Sequence, residues 1–213
     1  MGHLVSYDPS TNDALGEVSI ATAADIKVAV EQASIAQKTW ASLPVMSRVN
    51  AVVEAYNALI GEVAALGELL AQEQGKDIRR AGGEVGGAVS MAEYLATESM
   101  AAFKTQTVPG GTELQYRPLG VVAVIAPWNY PYLTAINSII PALMAGNSVI
   151  LKHASQTLLC AEQFLRAFQA AGLPAGVFQY LHLDHSQTLG IIQNDDINFV
   201  SFTGSVSAGK VIE

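Results

Sequence analysis

Three short stretches carry side chains able to do chemistry, and each follows an apolar run. In Ala126-Pro127-Trp128-Asn129-Tyr130-Pro131, two prolines bracket an asparagine. Their fixed φ holds the amide at a rigid strand-to-helix turn, as a preorganised donor to a developing oxyanion requires. The same spacing also suits an ordinary loop in which asparagine merely tolerates an unusual backbone angle. Lys152-His153-Ala154-Ser155 sets an ammonium at a strand edge and a hydroxyl near the next helix start. That pair suits ribose hydroxyls or a phosphate, and equally a lysine that snorkels to solvent beside a serine that caps the helix.

The third stretch, Phe202-Thr203-Gly204-Ser205-Val206-Ser207-Ala208-Gly209-Lys210-Val211, nearly matches the phosphate loop Gly-x4-Gly-Lys-Ser/Thr. Val211, however, stands where that loop needs a hydroxyl for magnesium, which makes a nucleoside triphosphatase a remote alternative. A glycine and a serine that open a helix after a strand can still present backbone N–H groups to a dinucleotide pyrophosphate. Cys160 falls on the apolar face of a helix and reads as an inert buried thiol. His182 and His185 lack a third ligand for zinc, and Arg79-Arg80 reads as a solvated helix face.

Positioning these residues takes an alternation of strands and helices. VVAVIA (121–126), SVILK (148–152), VFQYLH (177–182) and INFVSF (197–202) are strands that are apolar almost throughout. They are separated by helices at 131–145, at 157–171 and in a short segment after 182, with another starting near Ser205. Such strands are buried on both faces in a parallel, doubly wound α/β sheet, whose ligands bind at the carboxyl ends of the strands. Upstream, short runs at 4–7 and 15–20 flank a turn-forming Asp8–Asp13 and predict a hairpin. Thr22 and Asp25 stand at capping-box spacing before a helix with Ile26, Val30, Ala33 and Trp40 on one face. After Pro44, the positions Val49, Val52, Val53, Tyr56, Leu59 and Ile60 predict a second apolar face. Helix continues, broken at Gly61 and Gly75, to about Phe103. The glycines of AGGEVGGAV (81–89) cost helix propensity and predict close helix contact. Thr105–Pro118 contains a Pro-Gly-Gly turn and predicts a projecting β-ribbon. Three divisions follow: 1–104, a hairpin and helices; 105–119, the ribbon; and 120–213, a partial dinucleotide-binding domain.

The chain has 213 residues, 19 acidic against 11 basic, for a net charge of −8. That balance argues against a sequence-independent grip on nucleic acid or an anionic membrane. With 50% hydrophobic and 14% charged residues, the chain can bury a core. No apolar run reaches the ~20 residues of a membrane span, and the N-terminus lacks the basic start and apolar stretch of a secretion signal. One cysteine allows no internal disulfide and points to a reducing compartment, so the cytoplasm is expected. Met1-Gly2 with Ser6 fits an acylation pattern that is too short to carry weight.

Taken together and in order, the segments resemble the aldehyde dehydrogenase family over the whole chain. The most specific pieces are Pro127-Trp128-Asn129-Tyr130-Pro131, Lys152, and Phe202-Thr203-Gly204-Ser205. Supporting pieces are Tyr7–Thr11, Glu73-Gln74-Gly75-Lys76, Glu84, Tyr116–Gly120 and Pro141–Asn147. Leu151-Lys152-His153-Ala154-Ser155 is similar to the bacterial succinate-semialdehyde dehydrogenase branch. The resemblance implies a small aldehyde substrate, NADP or NAD as cofactor, and a homo-oligomer bridged by the ribbon. It implies attack by a cysteine on the aldehyde, hydride transfer to the nicotinamide, and release of the acid by a glutamate-activated water. Asn129 then matches the asparagine that stabilises the oxyanion. Ala126, Pro127 and Trp128 match the cofactor cleft, Lys152, His153, Ala154 and Ser155 the adenosine ribose, and Gly204 and Ser205 the pyrophosphate. Serine at 155, where many NAD-preferring members have glutamate, implies that NADP is accepted. The loop LHLDHSQTLG (181–190) lacks glycines common among relatives, so the adenine pocket is expected to differ in shape. The glutamate and the nucleophile belong to segments beyond residue 213, and Cys160 does not match the nucleophile. The chain alone is therefore expected to be inactive, with a non-catalytic dinucleotide-binding or docking fragment as the alternative.

Overall fold

The computed structural model describes residues 2–213; Met1, and with it the start of the acylation pattern, lies outside the described residues. The chain opens with the antiparallel pair β1 (His3–Tyr7) and β2 (Ala14–Ser19), then runs through α1 (Ala23–Ser42), α2 (Val45–Ile60), α3 (Val63–Gln74) and α4 (Ile78–Ala102). Thr22 and Asp25 form the expected reciprocal cap on α1. Next comes the ribbon, β3 (Gln106–Val108) and β4 (Thr112–Leu114), exposed at every position. Strands and helices then alternate: β5 (Val121–Ile125), α5 (Pro131–Met144), β6 (Ser148–Lys152), α6 (Leu158–Ala170), β7 (Phe178–Tyr180), α7 (His185–Ile192), β8 (Phe199–Phe202) and α8 (Val206–Ile212).

β5 to β8 form one parallel sheet in the order β7-β6-β5-β8. The chain steps outward from β5 to β7 and returns to lay β8 on the far side of β5, which makes the gap between β5 and β8 a topological switch point. Side chains alternate across the sheet with the period of two that a strand imposes. Val122, Val124, Val149 and Leu151 join the large core shared with α2 to α6. Val121 and Ile150 pack on the other face with Val30 and Ala33 of α1 and Ile191 of α7. Two asparagines pin the amino ends of the strands. Asn147 Oδ1 accepts from the N–H groups of Leu119 (2.7 Å) and Gly120 (2.9 Å). Asn198 Oδ1 accepts from Val121 N–H at 2.8 Å, while its own N–H donates to Val121 O at 2.9 Å. Gly120 (φ +133°) leaves room for that side chain, because a Cβ there would lie 1.9 Å from Asn198 Oδ1.

Three expectations need correction. Ile60 is 52% exposed, because the buried face of α2 includes Ala55 as well as Leu59 and has turned away by the last residue. β8 is not buried on both faces: it is an edge strand, and Phe199 at its start is 50% exposed. Of the 81–89 glycines, only Gly82 makes a close helix crossing, its Cα lying 2.9 Å from a Cβ placed on Gly67 of α3, whereas Gly83, Gly86 and Gly87 face open space. No single helix among the described residues is long and apolar enough to cross a membrane.

Candidate functional site

The register of the sheet builds the site. Ile125 of β5 pairs with Lys152 of β6 on one side and with Phe202 of β8 on the other. The segments that leave these three strand ends therefore emerge side by side at one rim. A cleft of about 620 Å³ opens there, lined by Ala126, Pro127, Trp128 and Asn129 after β5, Lys152 and Ala154 at β6, and Thr203, Gly204 and Ser205 after β8. Burial lowers the pKa of Lys152, and its ammonium forms no ion pair among the described residues. No acidic side chain among the described residues lines the cleft. A partly buried cation without a counter-ion, set between apolar walls, suits an anionic ligand that also carries rings.

Ser205 caps α8, its hydroxyl accepting from Ala208 N–H at 3.2 Å. Helix begins at Val206, so Gly209 and Lys210 lie inside α8 and not in a loop. The near-match to a phosphate loop thus fails on geometry as well as on Val211. Only Gly204 and Ser205 form the corner, and the Phe202 ring sits under Gly204, 2.4 Å from where a Cβ would be.

Of the expected residues, His153 lies elsewhere and Ser155 stands beside the cleft, next to its lining residue Ala154. His153 follows Lys152 by one residue and so points the opposite way, into the core. It is 3% exposed, 6.1 Å from the Phe164 ring, and neither ring nitrogen has a partner. Burial, aided by the charge of Lys152, pushes its pKa down to about 3. Ser155 is exposed just outside the cleft and donates to Gln156 Oε1 at 3.3 Å. It does not cap α6, whose N-cap is Thr157.

One wall was missed by the sequence reading. His185, Thr188, Leu189 and Ile192 of α7 and Ala208, Val211 and Ile212 of α8 face the cleft. Their trace in the sequence is a short helix with apolar residues beyond those its core face requires. Cys160 is fully buried, and burial, reinforced by the nearby Glu73 carboxylate, pushes its thiol well above the usual range. His182 pairs with Glu162 at 3.1 Å.

Trp128 and Asn129 also border a second cavity, of about 770 Å³, shared with Gln74, Lys76, Arg80 and Glu84. The Asn129 carbonyl accepts from Lys76 Nζ at 2.8 Å. Its side-chain amide has no hydrogen-bond partner among the described residues, and Asn129 lines both cavities.

A parallel sheet with a cleft at its topological switch point defines an open, doubly wound α/β fold. Residues 2–213 match the aldehyde dehydrogenase family, and the chain belongs to that family. It is 30% identical to an NAD(P)+ succinate semialdehyde dehydrogenase of Escherichia coli (strain K12), over 99% of this chain and 46% of that one. It is 36% identical to an NAD+ benzaldehyde dehydrogenase of Pseudomonas putida, over 96% and 43%. It superposes with a TM-score of 0.94 and 28% identity on the NADP-dependent glyceraldehyde-3-phosphate dehydrogenase of Bacillus halodurans C-125 in complex with NADP, over 99% of this chain and 45% of that one. The chain spans a little under half the length of these relatives.

Proposed function

We propose that the chain supplies the cofactor cleft and the oxyanion donor of an NAD(P)+-dependent aldehyde dehydrogenase that oxidises succinate semialdehyde to succinate in the cytoplasm. The observation that carries this reading is the delivery of Asn129, Lys152 and Gly204-Ser205 from three neighbouring strand ends to one cleft. NAD(P)+ held in this cleft would supply the hydride acceptor; Lys152 and Ser155 would hold its ribose side, Gly204 and Ser205 its pyrophosphate, and Trp128, Leu189 and Ile192 would exclude water from the cleft. On the far side of Asn129 the second cavity admits the aldehyde. The free amide of Asn129 donates to the aldehyde oxygen as negative charge gathers on it, a contribution worth about 10²–10³ in rate in comparable sites. The 105–119 ribbon, too small to be stable as an isolated hairpin, bridges subunits of a homo-oligomer, while 1–104 packs on the cofactor domain formed by 120–213.

Trp128 lines the cleft while Trp40 is 2% exposed, so NADPH bound to the 213-residue chain is expected to quench Trp128 fluorescence. Ser155→Glu is expected to weaken NADPH more than NADH, since a carboxylate repels a 2′-phosphate. The chain holds a single cysteine, buried and held as the thiol, so succinate semialdehyde is expected to bind without turnover. No quenching by either nucleotide, or aldehyde oxidation that Cys160→Ala abolishes, would refute the reading.

A further inference from the structure

We infer that Lys76 and Glu84 are the positioning residues of Asn129, a clamp that sets the oxyanion donor from outside the sheet; this rests on the role proposed for Asn129. The turn that carries Asn129 lies between a strand end and a helix start, where its backbone groups have no ladder to join. Their partners come from the end of α3, the α3–α4 junction and the start of α4, about fifty residues upstream. Gln74 donates through its side-chain amide to Trp128 O. Lys76 Nζ donates to Asn129 O at 2.8 Å and to Glu84 Oε2, and lies 4.1 Å from the centre of the Tyr130 ring. Glu84 Oε1 accepts from Tyr132 N–H at 3.1 Å, at the first turn of α5. Every residue from Trp128 to Tyr130, and the helix start after them, is thereby tied to one short stretch of chain.

Burial makes the clamp stiff. The Glu84 side chain is 0% exposed and that of Lys76 14%. A buried ion pair is a poor device for stability, because desolvation offsets the attraction. What this pair provides is direction: Lys76 holds the Asn129 carbonyl and the Tyr130 ring, and Glu84 holds Lys76 and the Tyr132 N–H, while the Asn129 side-chain amide makes no hydrogen bond among the described residues. Asn129→Ala would remove the donor; loss of Lys76 would leave the donor and free its mount.

Two variants separate positioning from mere stability. Lys76→Met breaks the clamp and strands the Glu84 charge, whereas Lys76→Met with Glu84→Gln breaks the clamp but buries no unpaired charge. In 15N–1H spectra of the 213-residue chain, the Asn129 side-chain amide peak, assigned by its loss in Asn129→Asp, is expected to shift and broaden in both variants. In a chain of full family length, both are expected to lose about 10–100-fold in kcat, with KM for the aldehyde within about twofold. An unmoved Asn129 peak, or recovery of kcat in the double variant, would overturn the clamp. Absence of aldehyde oxidation by the unsubstituted full-length chain would sink the proposed function instead, and the spectra would still decide the clamp.

Discussion

The His153 imidazole sits in a hydrocarbon setting against Phe164 with both nitrogens unbonded, and that has a consequence for acid stability. The unfolded chain takes up a proton on this ring near pH 6.5, whereas the folded chain resists until about pH 3. Between those limits the unfolded state holds more protons, so the contribution of His153 is full above pH 6.5 and is lost as the pH falls. His153→Leu removes the linkage while filling similar space. Between pH 6.5 and 5, urea denaturation is expected to show the unsubstituted chain losing about 2 kcal/mol more than the variant; parallel losses would count against this placement of the ring. Lys152, the neighbouring residue, faces the cleft, and the contrast shows how far one residue of register decides between binding and core.

At the scale of elements, two helices of the sheet layer begin without caps of their own. Neither Thr157 before α6 nor Tyr130 before α5 makes a side-chain cap. Carboxylates from the preceding helical segment take over. Glu73 accepts from Leu159 N–H (2.9 Å), Cys160 N–H (3.1 Å) and Ser6 Oγ (2.7 Å), and Glu84 accepts from Tyr132 N–H. Burial raises the pKa of Glu73, while these donors act to lower it. Glu73→Ala leaves two buried donors and one part-buried donor unpaired and is expected to cost about 3 kcal/mol in chemical denaturation, with Glu73→Gln costing about 1 because it keeps an acceptor. These caps also mark where the sequence stops being legible. Apolar strands, and the rule that ligands sit at their carboxyl ends, were enough to expect Asn129, Lys152 and Gly204-Ser205 at one rim, where they line one cleft. Partners 48 to 87 positions apart leave no periodic trace, so the roles of Glu73 and Glu84 and the α7 wall needed the fold. His153 was misplaced because strand periodicity ends at Lys152 and says nothing of the next side chain.

For the molecule as a whole, the open side of β8 is the exposed flank. Phe199 and Val206 are 50% and 79% exposed, and α8 has no buried residue. An apolar edge of that kind favours association with another strand or chain. β8 is held on one side only, so its alignment with β5 depends on few contacts, among them the Asn198–Val121 pair that fits only over a glycine. A single methyl at position 120 would occupy the place of the Asn198 oxygen and pry β8 loose at its root. Gly120→Ala is therefore expected to weaken NADPH binding by about tenfold or more, and to do so from the opposite end of the strands, roughly 17 Å away along a five-residue strand. Unaltered nucleotide titration in that variant would refute the expectation. The cleft is then expected to respond like the jaw of a pair of pliers: a change at the pivot, Gly120 beneath Asn198, moves the tip.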